Sequence, residues 1–236
     1  MIATAWTEPG SPDRANEDWY GIADRRQSGP VVVLDGGTAR TDAGCLHGVS
    51  WYAQQLGEQL LQRLRDGQQL QLVEILAAGI RTVASLHSST CDLTHPGTPS
   101  AAVGIVRPAG PELWEYAVLG DVTVVCDAPG GPVVIADRRI SKSAAAERAE
   151  ADQWPIGSPE KVRAMVAMKH AELAARNRDY WIAAADPSAA EHALTGVVDD
   201  VQRLAVLTDG AARATSFGLV TWQQLLQVMA TAGPAR

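Results

Sequence analysis

The chain has 236 residues, 46% of them hydrophobic, and a formal net charge of −7 at pH 7. This composition is typical of a globular protein with a sizeable core, and the acidic charge argues against binding to nucleic-acid phosphates, which requires clustered Lys and Arg. No apolar run approaches the roughly 20 residues that span a bilayer. Glu8 and Pro9 stand where a signal peptide would be apolar, so we expect a cytoplasmic protein with no membrane partner.

Short apolar runs rich in β-branched residues predict the strands. In chain order they are Trp19–Ala23, Val31–Leu34, Ala101–Val106, Leu113–Leu119, Val122–Cys126, Val133–Ile135, Tyr180–Ala184 and Leu204–Leu207. The Gly/Pro clusters Pro108–Pro111 and Pro129–Pro132 are too short to hold a crossover helix. They therefore predict hairpin turns between antiparallel strands.

Apolar residues spaced three or four apart predict the helices. These are Asp42–Arg65, Leu72–Leu86, Ala144–Ala151, Glu160–Arg176 and Thr221–Ala230. Thr41 or Asp42 is the predicted cap of the first helix. Strands, a helix pair, more strands and further helices predict an α+β fold, in which helix layers cover antiparallel sheets.

Cysteine and histidine usage gives little indication of chemistry. The three cysteines, Cys45, Cys91 and Cys126, are far apart and odd in number, and the five histidines form no metal-spaced pair. We therefore expect neither a disulfide framework nor a zinc site. His95 is the only histidine that we consider as a proton donor, and a solvated loop position is the alternative.

Two acidic motifs repeat one arrangement, in which an apolar run ends in Asp followed by Gly. They are Asp35-Gly36 and Asp209-Gly210. Glycine allows a turn that presents the carboxylate to a hard cation, which prefers oxygen ligands. Two such strands side by side would bring together like charges, which require a cation or a proton. The alternative for each Asp is an ordinary turn after a strand.

Two further acidic motifs flank strands. Glu17 and Asp18 precede Trp19, and only one of them can aim at a site, because adjacent strand residues point to opposite faces. Asp121 lies between two strands, and its alternative is a tight hairpin turn. Arg14 is a candidate for a bidentate phosphate contact, with a surface ion pair as the alternative of equal weight.

The order of these motifs resembles the PP2C-type metal-dependent protein phosphatases over about residues 13–218. The motifs are Arg14 with Asn16-Glu17-Asp18, Asp35-Gly36-Gly37, Pro99-Ser100-Ala101-Ala102, Leu119-Gly120-Asp121 and Thr208-Asp209-Gly210, and the stretch from Gly44 to Tyr52 looks like an actinobacterial subgroup. The resemblance implies a single phosphatase domain over residues 1–236. It also implies an α/β/β/α sandwich of two antiparallel sheets flanked by helices.

The resemblance further implies a centre with two Mn²⁺ or Mg²⁺ ions and a weaker third ion. The implied metal ligands are Glu17, Asp18, Asp35, Gly36, Asp121 and Asp209. Asp35 would bridge two ions, Asp209 would bind one of them, and Asp121 would hold the third. Arg14 would bind the substrate phosphate, and a metal-bridged water would attack phosphoserine or phosphothreonine in line.

Three departures from the family pattern qualify this expectation. Gly37 stands where the family often has a histidine after Asp-Gly, and Arg14 lies three residues before Glu17 where many relatives have four. No Asp or Glu follows Asp209, so the family's last strand and its Asp ligand are missing. The chain is either a shortened piece of an enzyme or a natural variant with lost or altered activity.

Three functions follow as hypotheses. The first is a phosphatase acting on phosphorylated proteins. The second is a catalytically impaired PP2C-like binding or regulatory module, because the last carboxylate is missing. The third is a phosphatase acting on a small phosphorylated metabolite.

Overall fold

The protein is described here by a computed structural model that covers residues 2–24, 29–66 and 69–235. The strands are β1 (Trp19–Ile22), β2 (Val31–Gly36), β3 (Ala101–Gly110), β4 (Leu113–Leu119), β5 (Thr123–Ala128), β6 (Gly131–Ala136), β7 (Leu194–Val198) and β8 (Arg203–Leu207). The helices are α1 (Gly48–Asp66), α2 (Leu72–His87), α3 (Arg139–Lys142), α4 (Ala145–Asp152), α5 (Pro159–Ala175), α6 (Asp209–Ser216) and α7 (Trp222–Ala232), with a 3₁₀ helix at Pro187–His192.

The strands form two antiparallel sheets. The first has the order β1-β2-β3-β4-β7 and the second has the order β6-β5-β8. The sheets face each other across an apolar layer that includes Val106, Val118, Val124 and Ile135. The predicted pair of antiparallel sheets is confirmed, and so are the two hairpin turns. Within the described ranges, no strand follows β8.

Helices cover the outer face of each sheet. Helices α1 and α2 pack their apolar sides, including Leu56 and Ile80, onto the first sheet. Helix α7 places Leu226 against Val125 and Leu207 of the second sheet. This gives the α/β/β/α layering, since each sheet buries one face against its partner and the other against helices. None of the helices in the described residues is both long and apolar enough to cross a membrane.

The two faces of β2 have different neighbours. Val32 and Leu34 are fully buried in the cluster formed with α1 and α2. Val31 packs on the opposite side, against the layer between the sheets. Because side chains alternate along a strand, Asp35 shares the face of Val31 and points toward the second sheet.

Two predicted elements were wrong. Helix α1 begins at Gly48 rather than at Asp42, because Gly44 and Gly48 have left-handed backbone angles, with φ of +60° and +79°. Thr41 and Asp42 therefore lie in a loop and cap no helix.

The other wrong prediction is the strand Tyr180–Ala184, which makes only isolated bridges, one of them between Ala183 and Ala101. The first sheet is completed instead by β7, in which Thr195 and Gly196 interrupt the apolar residues that would have indicated a strand.

Candidate metal centre

Four aspartates converge at one end of the gap between the sheets. Asp18 precedes β1, Asp35 lies in β2, Asp121 connects β4 to β5, and Asp209 begins α6 directly after β8. Burial and repulsion from Asp121, Asp18 and Asp209 together raise the pKa of Asp35 to about 8. Residues associated with both sheets thus form one cluster of mutually repelling carboxylates.

Small residues allow this convergence beside β2. The β3 partner of Asp35 is Ala102. A Cβ atom added to Gly120 would lie 2.7 Å from the Ala102 Cβ, and Gly120 has a φ of +83°. The chain can therefore pass closely over Ala102 as it crosses from one sheet to the other, which places Asp121 near Asp35. The alternative of a hairpin turn at Asp121 is wrong, because β4 and β5 belong to different sheets.

The start of α6 joins the second sheet to this cluster. The backbone N–H of Asp209 donates a hydrogen bond of 3.0 Å to Asp35 Oδ2. The Thr208 side chain forms a hydrogen bond with Asp18. The Asp209 carboxylate also accepts a 2.8 Å hydrogen bond from Arg213 Nη2, one helical turn further along. The Asp209 carboxylate therefore repels the other aspartates of the cluster and also forms an ion pair with Arg213.

Glu17 and Asp18 have different environments. Asp18 forms hydrogen bonds with the Gly36 backbone and with Thr208, and the charge of Asp209 contributes to its raised pKa after burial, the main cause. Glu17 Oε2 instead accepts a 2.5 Å hydrogen bond from Thr38 Oγ1. A Cβ atom at Gly36 would overlap the Glu17 backbone oxygen, so glycine is required for this close approach.

The cluster has the chemistry of a hard-cation site. Burial, with repulsion from Asp209 and Glu172, raises the pKa of Asp121 to about 6. Converging carboxylates are stabilised by protons or by a cation. Carboxylate oxygens are the ligands that Mg²⁺ and Mn²⁺ prefer. The donor set therefore fits a divalent ion, although it contains no acid from beyond Asp209.

Helix α5 contributes two charged residues that the sequence analysis missed. Glu172 is buried and accepts a 2.7 Å hydrogen bond from Arg148 Nη2, and Lys169 Nζ lies 3.9 Å from its other carboxylate oxygen. A Cβ atom at Gly37 would lie 3.9 Å from the same Lys169 nitrogen. The spacing of Lys169 and Glu172 along one helix was the only signal in the sequence. Lys169 thus lies beside the loop position where the family pattern often has histidine.

A cleft of about 420 Å³ lies between the N-terminal segment and α5. It is lined by Arg14, Arg40, Ile156, Gly157, Lys161, Val162, Met165 and Val166. The guanidinium groups of Arg14 and Arg40 form no ion pair with a side chain in the described part of the chain. Arg40 is close enough to Lys169 to contribute to lowering its pKa, after burial, the main cause. Two cationic side chains are therefore available to an anion here.

Comparison with known proteins shows the fold. No family model matches the sequence, and no curated protein matches it significantly. Solved structures with similar folds include the Mycobacterium tuberculosis serine/threonine phosphatase PstP/Ppp, with a TM-score of 0.55 and 11% identity over 97% of this chain and 84% of that one. The catalytic domain of PstP in complex with two manganese ions has a TM-score of 0.56 and 14% identity, covering 94% and 81%.

A serine/threonine phosphatase from S. agalactiae has a TM-score of 0.54 and 15% identity, covering 94% of this chain and 90% of that one. The chain therefore has a PP2C-like fold, shared with bacterial serine/threonine phosphatases.

Proposed function

We propose that the chain is a divalent-metal-dependent phosphatase that hydrolyses phosphoserine or phosphothreonine in proteins. The observation that carries the proposal is the convergence of Asp18, Asp35, Asp121 and Asp209 at one end of the gap between the sheets. It is supported by the similarity in fold to a phosphatase domain that binds two manganese ions.

The proposed ligands divide between the two sheets. Asp35 lies centrally and would contact two Mn²⁺ or Mg²⁺ ions. Asp18 and the Gly36 carbonyl would serve the ion on the side of the first sheet, Asp209 would serve the other ion, and Asp121 would hold a weaker third. Glu17 is held by Thr38 and would act on the first ion only through water. When bound, such ions neutralise phosphoryl oxygens and lower the pKa of water.

The chain's own cations would bind the substrate. Arg14 and Arg40 would contact the phosphate or the acidic surroundings of a phosphorylated segment, since arginine pairs well with phosphate oxygens. Lys169 Nζ, beside Gly37, would donate a hydrogen bond to the phosphoryl or leaving-group oxygen. It would thereby occupy the role of the histidine that the loop after Asp35 lacks.

The impaired-module alternative rests on one observation. The Asp209 carboxylate is engaged by Arg213 in the structure. A carboxylate that is already paired with a cation binds a hard metal ion more weakly, since ligand charge sets the affinity. Calorimetry with Mn²⁺ distinguishes the impaired module from the phosphatase. A module that has lost the aspartate metal centre would bind no Mn²⁺ with a Kd in the millimolar range or below.

The test measures Mn²⁺-dependent hydrolysis of a small aryl phosphate and of a phosphothreonine peptide. Asp35→Asn and Asp209→Asn should each reduce the rate at least about a hundredfold, because each removes a charged ligand. Asp179→Asn is the matched control, since Asp179 is exposed and pairs only with the neighbouring Arg178 among described residues. Full activity in both site variants would refute the proposal. If the protein hydrolyses small phosphate esters but not the phosphothreonine peptide, that result would favour the metabolite phosphatase.

A further inference from the structure

We infer that Cys45, His47, His87 and Cys91 form a second metal site, which binds one Zn²⁺ ion and is chemically distinct from the aspartate centre. One ligand atom from each of these four residues lies within 4.8 Å of all the others. The sequence alone predicts no zinc site, because the pairs Cys45/His47 and His87/Cys91 are about 40 positions apart and neither matches a common spacing.

The distances among the ligand atoms suit a tetrahedral ion. Cys45 Sγ lies 3.7 Å from His47 Nδ1 and 3.4 Å from His87 Nδ1. Cys91 Sγ lies 3.3 Å from His47 Nδ1 and 2.9 Å from Cys45 Sγ. Tetrahedral zinc with ordinary bond lengths separates its ligand atoms by roughly 3.4–3.8 Å. Three of these four distances fall near that range, and the fourth, between the two sulfurs, would have to increase by about 0.9 Å.

Helix ends and local hydrogen bonds preorganise the two pairs. His87 is the last residue of α2, and the Cys91 N–H donates a 3.0 Å hydrogen bond to its carbonyl oxygen. Cys45 and His47 lie in the loop that leads into α1. A 2.8 Å hydrogen bond from the Asp92 N–H to the Gly44 carbonyl oxygen fastens that loop beside the end of α2. The four ligands are thus positioned by backbone geometry.

Burial of the His87 ring fixes which nitrogen can bind the ion. His87 is fully buried. The Nδ1 of the same ring faces a thiol rather than an ordinary acceptor. Trp51 lies 4.2 Å from the His47 ring and 5.1 Å from the His87 ring, which shields one side of the site.

The ligand type separates this site from the aspartate centre. Thiolate and imidazole ligands select zinc, whereas carboxylates suit Mg²⁺ and Mn²⁺. Four protein ligands leave no open position, which is typical of a structural rather than a catalytic zinc ion. The ion would fasten the loop before α1 to the end of α2. That loop begins at Gly37, whose N–H donates a 2.8 Å hydrogen bond to the Ser100 carbonyl oxygen, so zinc would brace the segment that follows Asp35.

The test measures zinc in the full chain after purification under reducing conditions, by elemental mass spectrometry. We expect one zinc per chain, and loss of at least about nine-tenths of it in Cys45→Ser and Cys91→Ser, since fewer than four ligands bind structural zinc poorly. Cys126→Ala is the matched control, because Cys126 lies in the layer between the sheets. The His47→Gln variant should also lose zinc. The His170→Gln variant should retain it, because His170 is exposed and lies outside the cluster.

Cobalt provides an independent measurement. Wild-type protein reconstituted with Co²⁺ should show the intense visible bands of a tetrahedral site and sulfur-to-cobalt charge transfer. Asp35→Asn and Asp209→Asn should retain both zinc and these bands, which keeps this test separate from that of the phosphatase proposal. Reduced wild-type protein that takes up no zinc and lacks the sulfur–cobalt bands overturns the proposal, whether or not the variants fold. Unchanged zinc content in a folded Cys45→Ser/Cys91→Ser double variant also overturns it.

Discussion

Asp35 Oδ2 accepts a 3.0 Å hydrogen bond from the backbone N–H of Asp209, a residue 174 positions later in the chain. The bond connects β2 of the first sheet to the first residue of α6, which follows the second sheet. The partial positive charge of a helix N-terminus stabilises a carboxylate there. Burial and three neighbouring aspartates outweigh this effect, since the pKa of Asp35 is still raised to about 8. The cluster therefore retains a strong preference for added positive charge.

The metal-free protein should lose stability as the pH rises. Above about pH 4 the unfolded chain has released the proton of Asp35, whereas the folded protein holds it up to a pKa of about 8. The stabilisation from this proton is complete below the unfolded pKa and is lost as the pH rises through the folded one. Asp121, whose pKa is raised to about 6, adds a further loss of stability as the pH rises through that value.

Thermal unfolding of metal-free protein between about pH 5 and about pH 9 measures this effect. Wild type should show a falling Tm, and Asp35→Asn should show a flatter decline and a higher Tm at the alkaline end. The exposed Asp179→Asn variant should follow wild type. An Asp35→Asn curve parallel to that of wild type would show that Asp35 ionises normally.

Arg213→Ala should strengthen Mn²⁺ binding. Arg213 Nη2 lies 2.8 Å from Asp209 Oδ2, and both side chains are about half exposed. Such exposed ion pairs contribute about 0–1 kcal/mol, so removal of the competing cation should lower the Kd by up to about fivefold. Calorimetry measures the affinity, with Arg178→Ala as the control for loss of an exposed arginine. A weaker affinity in Arg213→Ala would mean that Arg213 orients Asp209 for the ion.

Lys169→Met should reduce kcat by about a hundredfold if Lys169 assists the leaving group, which is within the range for general acid catalysis. Burial lowers the pKa of Lys169, so its protonated fraction should control the alkaline limb of the pH–rate profile. The variant should lose that limb. Lys142→Met on α3 is a control for loss of a lysine. A reduced rate with an unchanged profile would assign Lys169 to packing against Glu172 instead.

Arg14→Ala and Arg40→Ala should each raise KM for a phosphopeptide by about tenfold or more, since hydrogen bonds to charged groups contribute about 1.5–3 kcal/mol. The value of kcat should change less, because neither arginine is among the residues that form the aspartate cluster. Arg163→Ala is the control, as Arg163 is exposed and pairs with Glu160 on the same helix. If all three variants have the same KM, the cleft is not the substrate site.

Local sequence patterns predicted the elements that depend on local chemistry. Apolar runs indicated β2 and β8, and the glycine after each aspartate indicated that Asp35 and Asp209 lie near the ends of these strands. The missed residues depend on long-range packing. Glu172 is close enough to Asp121 to contribute to its raised pKa, after burial and Asp209, although the two residues are far apart in the sequence.

The Cys/His cluster was missed for the same reason. Cys45 and Cys91 meet only because α1 and α2 form an antiparallel pair, which brings the start of one helix to the end of the other. Spacing rules for zinc sites describe ligands on one short motif. They do not describe pairs separated by two helices.

Gly120→Ala should destabilise the protein and weaken metal binding together. The added methyl group would lie 2.7 Å from the Ala102 Cβ, and the residue would have to keep a φ of +83°. Overpacking costs about 1–3 kcal/mol, and the left-handed backbone adds about 1–2 kcal/mol for a residue other than glycine. Any relaxation moves Asp121 away from Asp35, which should raise the Kd for Mn²⁺. Denaturant unfolding and calorimetry measure the two effects.

Gly130→Ala is the matched control for this substitution. Gly130 lies in the turn between β5 and β6, and a Cβ atom there would meet no other atom within 4 Å. We expect its free energy of unfolding to stay within about 0.5 kcal/mol of wild type, as is usual for surface substitutions. Equal stability of the Gly120→Ala and Gly130→Ala variants would show that close packing over Ala102 is unnecessary. In that case the convergence of Asp121 with Asp35 would depend on another contact between the sheets.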